Sequence, residues 1–188
     1  MLCTLLSVWH VELRGEMNVI LILRGKPGIG KTTVCQRIFE KHNVDGFITK
    51  EVRRGSRRIG FDIFLIKTKE RIPLARETDT KRMVGKYEVF VENLDKVIFL
   101  LENMEKTEDT IIIDELGKME SLSKRFVSWV MEIPKRWKNV ILTAPSKDIP
   151  ILREFLNRWK EAKILWMNVE NRDRMVDILM RMLRGDES

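Results

Sequence analysis

Gly25-Lys26-Pro27-Gly28-Ile29-Gly30-Lys31-Thr32 satisfies the pattern G-x-x-x-x-G-K-[ST] at every position. Glycines at that spacing let the backbone curl until successive N–H groups converge on phosphate oxygens, and the positive end of a following helix adds to the attraction. Lys31 then reaches the β- and γ-phosphates, and the Thr32 hydroxyl is placed for Mg²⁺. Such a site needs a carboxylate at the end of a buried strand, and Ile111-Ile112-Ile113-Asp114 provides it. Glu115, directly after that aspartate, is placed to orient or deprotonate a water attacking the γ-phosphate.

Cations are the third ingredient. Arg53, Arg54, Arg57 and Arg58 bracket Gly55-Ser56, and guanidinium groups match phosphate geometry in a bidentate manner. An arginine of this tip, with Arg53 and Arg57 as named candidates, or Lys118 just past Glu115, would offset charge developing on the γ-phosphate. With such a cation in the same chain, turnover is expected to be slow, on the order of 10⁻² s⁻¹. Of the 35 Lys and Arg and 28 Asp and Glu that give the net charge of +7, twelve basic and five acidic residues lie between Lys50 and Lys86. The whole surplus is therefore local, which favours a triphosphate over nucleic acid as the anion bound.

The elements that must position these groups follow from periodicity. Asn18 to Arg24 reads as an apolar strand and Lys31 to His42 as a helix. Gly46 to Val52 and Ile59 to Ile66 form an antiparallel hairpin with a basic tip. Lys67 to Lys86 reads as loop, with at most one short strand around Pro73 to Arg76. Strands are expected at 87–91, 110–113, 139–143 and 162–167, with helices around Leu94 to Leu101, Ser121 to Met131, Ile149 to Trp159 and Arg172 to Leu183. That alternation implies α/β architecture: a three-layer sandwich with a mostly parallel central sheet and helices on both faces, carrying the antiparallel basic hairpin. Thr143-Ala144-Pro145, ending a central strand, is expected near the γ-phosphate.

With 188 residues, 44% hydrophobic and 34% charged, the composition is globular and excludes disorder. Residues 18–188 are expected to form a single domain, and 1–17 an extension or a misassigned start ahead of Met17. Two cysteines, Cys3 and Cys35, do not make a secreted disulfide scaffold. No apolar run reaches the roughly 18 to 20 residues of a membrane helix. A cytoplasmic monomer without membrane association is the expectation. His10 and His42 stand alone, and no Cys or His spacing suggests zinc. Lys135-Arg136-Trp137-Lys138 and Arg158-Trp159-Lys160 interleave aromatic and basic residues, which base stacking uses but helix-end packing explains more simply.

Taken together, the loop Gly25 to Thr33, the hairpin Gly46-Phe47-Ile48-Thr49-Lys50-Glu51-Val52-Arg53 with Arg57-Arg58-Ile59-Gly60-Phe61-Asp62, and Ile113-Asp114-Glu115-Leu116-Gly117-Lys118-Met119-Glu120 resemble the cancer-related nucleoside-triphosphatase family of small P-loop NTPases. Val84-Gly85-Lys86-Tyr87 and Asn168-Val169-Glu170-Asn171-Arg172 are also similar to its pattern, so the resemblance runs from about Asn18 to Leu183. It implies hydrolysis of nucleoside triphosphates to diphosphate and phosphate with Mg²⁺ and broad base tolerance. Around Thr143-Ala144-Pro145 the resemblance is less close. The implied nucleotide-binding set is Gly25, Lys26, Pro27, Gly28, Ile29, Gly30, Lys31, Thr32, Thr33, Asp114 and Glu115, with Thr32 and Asp114 toward the metal. Two other readings use the same loop: a nucleotide or polynucleotide kinase whose hairpin binds the acceptor, and a nucleotide-dependent switch module.

Overall fold

A computed structural model describes residues 18–78 and 83–186. The expectation for residues 1–17 lies outside the described residues, as does the part of the Lys67–Lys86 expectation at 79–82.

Among the described residues nine strands make one sheet in the order β5-β6-β4-β3-β2-β7-β8-β1-β9. β7 (Thr110–Asp114), β8 (Asn139–Pro145) and β1 (Val19–Gly25) lie side by side in its parallel half. They are parallel and in continuous register, with Val19 beside Asn139 and Thr110 beside the same Asn139. Each is buried on both faces, which is why they read as unbroken Ile, Leu and Val runs rather than alternating ones. β9 (Lys163–Trp166) closes one edge beside β1.

Helices cover both faces. α1 (Lys31–Phe39) and α6 (Met175–Arg184) pack Val34, Cys35, Ile38, Met175 and Leu179 onto one side of the sheet. On the other side, α2 (Val91–Asn103), α3 (Lys124–Val130), α4 (Ile133–Arg136) and α5 (Pro150–Arg158) surround Leu94, Val97, Phe126 and Phe155. The helix expected over Ser121 to Met131 is split. Ser123 takes the N-cap position of α3 and accepts the Phe126 N–H, leaving a single 3-10 turn, Glu120–Leu122, ahead of it. Trp137 is buried, with its Nε1 donating to Asp45 Oδ2 at 3.0 Å, and Trp159 Nε1 donates to the Met131 carbonyl, so both basic-aromatic runs are packed into the fold.

β2 (Asp45–Arg54) begins parallel to β7, from Asp45 beside Ile111 to Ile48 beside Asp114. It continues past the end of β7 and pairs antiparallel with β3 (Arg57–Leu65), turning through Gly55-Ser56 as expected. β4 (Arg71–Glu77), β5 (Met83–Val84) and β6 (Tyr87–Val89) extend this into an antiparallel wing. β4 contains the short strand expected around Pro73 to Arg76 and extends it on both sides, while β5 is a strand where loop was expected. In β4 the inward Ile72 and Leu74 alternate with exposed Arg71 and Pro73. Pro73 is tolerated because β6 pairs only with Ala75 to Glu77, so no ladder bond is asked of its missing N–H there. Among the described residues no helix is long and apolar enough to cross a membrane.

Candidate active site

The parallel strands end together at one rim of the sheet, where open α/β folds hold ligands. Gly25, Asp114 and Pro145 are the last residues of β1, β7 and β8. Between them and the hairpin lies a cavity of about 670 Å³, walled by Pro27, Gly28 and Gly30 to Thr33, by Thr49 and Arg58 of the hairpin, by Asp114, Glu115 and Lys118 to Glu120, and by Pro145 to Lys147 with Ile149.

The loop after β1 follows the residue pattern closely. Gly28 and Gly30 have φ of +78° and +111°, a region that side chains disfavour. Gly30 is the N-cap of α1 and no side chain caps the helix, so its first N–H groups are turned to the cavity with the positive end of the helix dipole. Lys31, 8% exposed, donates from Nζ to the Gly25 carbonyl at 3.2 Å and lies 3.6 Å from Glu115 Oε2.

Asp114 is the most heavily held group. Thr32 Oγ1 donates to its Oδ2 at 2.6 Å, Thr143 Oγ1 donates to its Oδ1, and the Thr49 N–H reaches Oδ2 at 3.4 Å while Thr49 Oγ1 donates to its carbonyl at 2.6 Å. Burial pushes its carboxyl up; hydrogen bonds from Thr143 and Thr32 and the Lys31 ammonium pull it back. Thr143 therefore touches Asp114 directly. Thr49 gave no signal in the sequence beyond its place in the hairpin motif.

Glu115 is 36% exposed and lines the cavity. Burial raises its carboxyl from the ordinary value, Lys31 opposes this and Asp114 adds to it, the direction a general base requires. Thr32 and Asp114 bring two hard oxygen donors together, the chemistry Mg²⁺ selects.

The four arginines divide by the pleat. Cross-strand partners share a face; Arg53 is opposite Arg58 and Arg54 is opposite Arg57. Only Arg58 reaches the cavity wall. It is held 2.7 Å from Glu51 Oε1, its guanidinium lies over the Phe61 ring, and its buried Nε has no hydrogen-bond partner. Arg53 is bound to Glu51 and to the Ser56 carbonyl. Arg57 pairs with Glu77 at 2.8 Å beside a separate cleft of about 410 Å³ that Arg54 also lines. Lys118 lines the main cavity, as does Lys147, which the sequence did not single out. The wall at Pro145 and Ser146 is held by Arg24, which is 5% exposed, donates to the carbonyls of both residues and to Asp148, and lies over Trp166.

A family model described as NTPase matches residues 20–180. The chain belongs to this NTPase family. Among relatives of this NTPase, nucleoside-triphosphatase THEP1 of Methanocaldococcus jannaschii is 40% identical over 173 residues, covering 88% of this chain and 98% of that one. The crystal structure of THEP1 from the hyperthermophile Aquifex aeolicus matches this NTPase with a TM-score of 0.75 and 32% identity, covering 88% of this chain and 99% of that one. The solution structure of a human cancer-related nucleoside triphosphatase matches with a TM-score of 0.73 and 31% identity, covering 90% and 100%. The α/β P-loop architecture and the family resemblance noted from the sequence are thereby borne out.

Proposed function

We propose that this NTPase hydrolyses nucleoside triphosphates to diphosphate and phosphate, with broad base tolerance and slow turnover. One observation carries the reading: Lys31, Thr32, Asp114 and Glu115 meet in a single cavity beside an uncapped helix N-terminus. The β- and γ-phosphates take the N–H groups of Gly28 to Thr33, and Lys31 exchanges the Gly25 carbonyl for phosphate oxygen. Thr32 and Asp114 would hold Mg²⁺, which when bound neutralises charge on the β- and γ-oxygens. Glu115 takes a proton from a water whose oxygen bonds to the γ-phosphorus. As that bond forms, the bond from the γ-phosphorus to the bridging oxygen breaks and its electrons leave with the diphosphate. Arg58, although paired with Glu51, and Lys118 line the cavity and are the cations assigned to meet the departing charge. Arg53 and Arg57 would act only after leaving their partners Glu51 and Glu77.

Glu115→Gln tests the assignment. Phosphate release should fall by about 10²- to 10⁴-fold while nucleotide affinity, read by calorimetry, persists; unimpaired release would remove Glu115 as the base. The wall of Phe61, Val84, Met119 and Ile149 across the cavity from the loop favours a second reading, in which an organic acceptor replaces water. Labelled γ-phosphate appearing on an added acceptor would establish it. The buried, unpaired Cys35 thiol suits a cytoplasmic setting. The proposed working state is a monomer acting on free nucleotide rather than nucleic acid.

A further inference from the structure

Glu120 plays no part in the scheme above, yet it lines the cavity and is only 3% exposed. It is the first residue of the 3-10 turn after the Asp114–Glu115 segment, and its carboxylate accepts the N–H of Gly117 and its own N–H. Gly117 shows where the group is aimed. A Cβ placed on Gly117 would stand 2.6 Å from Glu120 Oε2 and 3.0 Å from Glu115 Oε1, so two carboxyl oxygens converge on one small volume that only a residue without a side chain leaves open. Burying a carboxyl is costly unless its partners repay it, and a turn of this kind does not require one. The neighbour that gives the arrangement a use is Glu115.

We propose that Glu120 is a positioning residue for hydrolysis: its carboxyl, seated beside that of Glu115 over Gly117, holds Glu115 and the attacking water in line with the γ-phosphorus. The inference rests on the reading of Glu115 as base. Two carboxyls sharing a site ionise one at a time. Burial, and then Glu115 itself, push the Glu120 carboxyl up to about 8, so at neutral pH it keeps its proton. In that form it offers an O–H donor and a carbonyl acceptor to the pair, while Glu115 stays the group that receives the water proton. Glu120 neither gains nor loses a proton in the step. Asp114, Glu115, Lys31, Lys50, Glu51, Arg58, Lys118 and Lys147 are the charged groups sharing the cavity with it; on the α2 side Asp95 is engaged by the Ser123 hydroxyl.

The test is a double-mutant cycle of Glu120→Ala and Glu115→Gln, read by phosphate release at saturating nucleotide, with nucleotide affinity measured alongside. Glu120→Ala is expected to lower kcat about 10- to 100-fold with KM within about twofold, and to remove nothing further from the residual rate of Glu115→Gln. An unchanged kcat, or the same factor lost in both backgrounds, overturns the proposal. If Glu120→Ala does not fold, Glu120→Gln takes its place: native turnover should decline as pH passes about 8 and that of the variant should not, and coincident profiles overturn the role. Full turnover in Glu115→Gln alone would remove the base and this inference together. Loss there with normal Glu120→Ala removes this inference only.

Discussion

The parallel half of the sheet and the antiparallel wing handle charge in opposite ways. Where the parallel strands end, Lys31, Asp114 and Glu120 are each at most 8% exposed, and what holds them is largely hydroxyls, N–H groups and a carbonyl. On the wing Arg53, Arg57, Arg58, Arg76 and Lys86 are each met by a carboxylate from Glu51, Asp62 or Glu77. Lys31, Asp114 and Glu120 line the cavity, whereas the other buried charges, Arg24 and Asp45, are bonded within the fold; the surface charges of the wing are largely answered within it. The local basic surplus therefore overstates how much of the wing is available to a triphosphate.

The sharpest way to break this contrast is Asp114→Ala. Turnover should drop by about 10³-fold, on the order of 4 kcal/mol of barrier, as measured by phosphate release; a loss no larger than that of a wing arginine would erase the distinction. Stability should divide along the same line. Ile112→Ala, at a fully buried position between α1 and the sheet, is expected to cost about 3 to 5 kcal/mol in urea unfolding, and Ile59→Ala on the half-buried wing less than half of that.

Arg58→Ala should lower kcat by about 10- to 100-fold, and Arg53→Ala by less, since only Arg58 lines the cavity. Equal losses would place both at the phosphates. Glu120 supplies a pH-dependent comparison. Its carboxyl is raised from 4.5 to about 8 in the folded protein, so its contribution to stability is full below the unfolded value and is lost as pH climbs through the folded one. Glu120→Gln lacks that loss, and its Tm relative to the native protein should rise between pH 5 and pH 8 and then level off. The smallest effect is assigned to Arg57→Ala, which breaks an exposed pair with Glu77 and should leave kcat and Tm within experimental scatter.

Legibility followed the same division. The loop from Gly25, the strand into Asp114 and the Gly55-Ser56 turn could be read directly, because each couples a residue pattern to a burial pattern that a central strand or a two-residue turn enforces. Only the middle of β4 was legible, because its alternation is carried by Ile72 and Leu74 among charged neighbours and is interrupted by Pro73, which only an incomplete ladder accommodates. The four-residue α4, with Pro134 in its first turn, is too short to show a period. Which arginine faces the cavity depends on a register shift between Val52 and Arg53 in the hairpin, a detail with no mark in residue type. Glu120 was missed because its meaning depends on the empty face of Gly117, three residues away.

β2 passes beside Asp114 and then runs out to the arginines. Thr49 grips Asp114 through both its N–H and its hydroxyl, and Arg53 lies four residues further along the same strand, roughly 13 Å at strand rise. The strand is thus a lever with its fulcrum at Asp114. A small rotation at Thr49 is multiplied at the tip, so loosening that grip should misaim the arginines as well as Asp114. Across substitutions at Thr49, affinity and turnover would fall together.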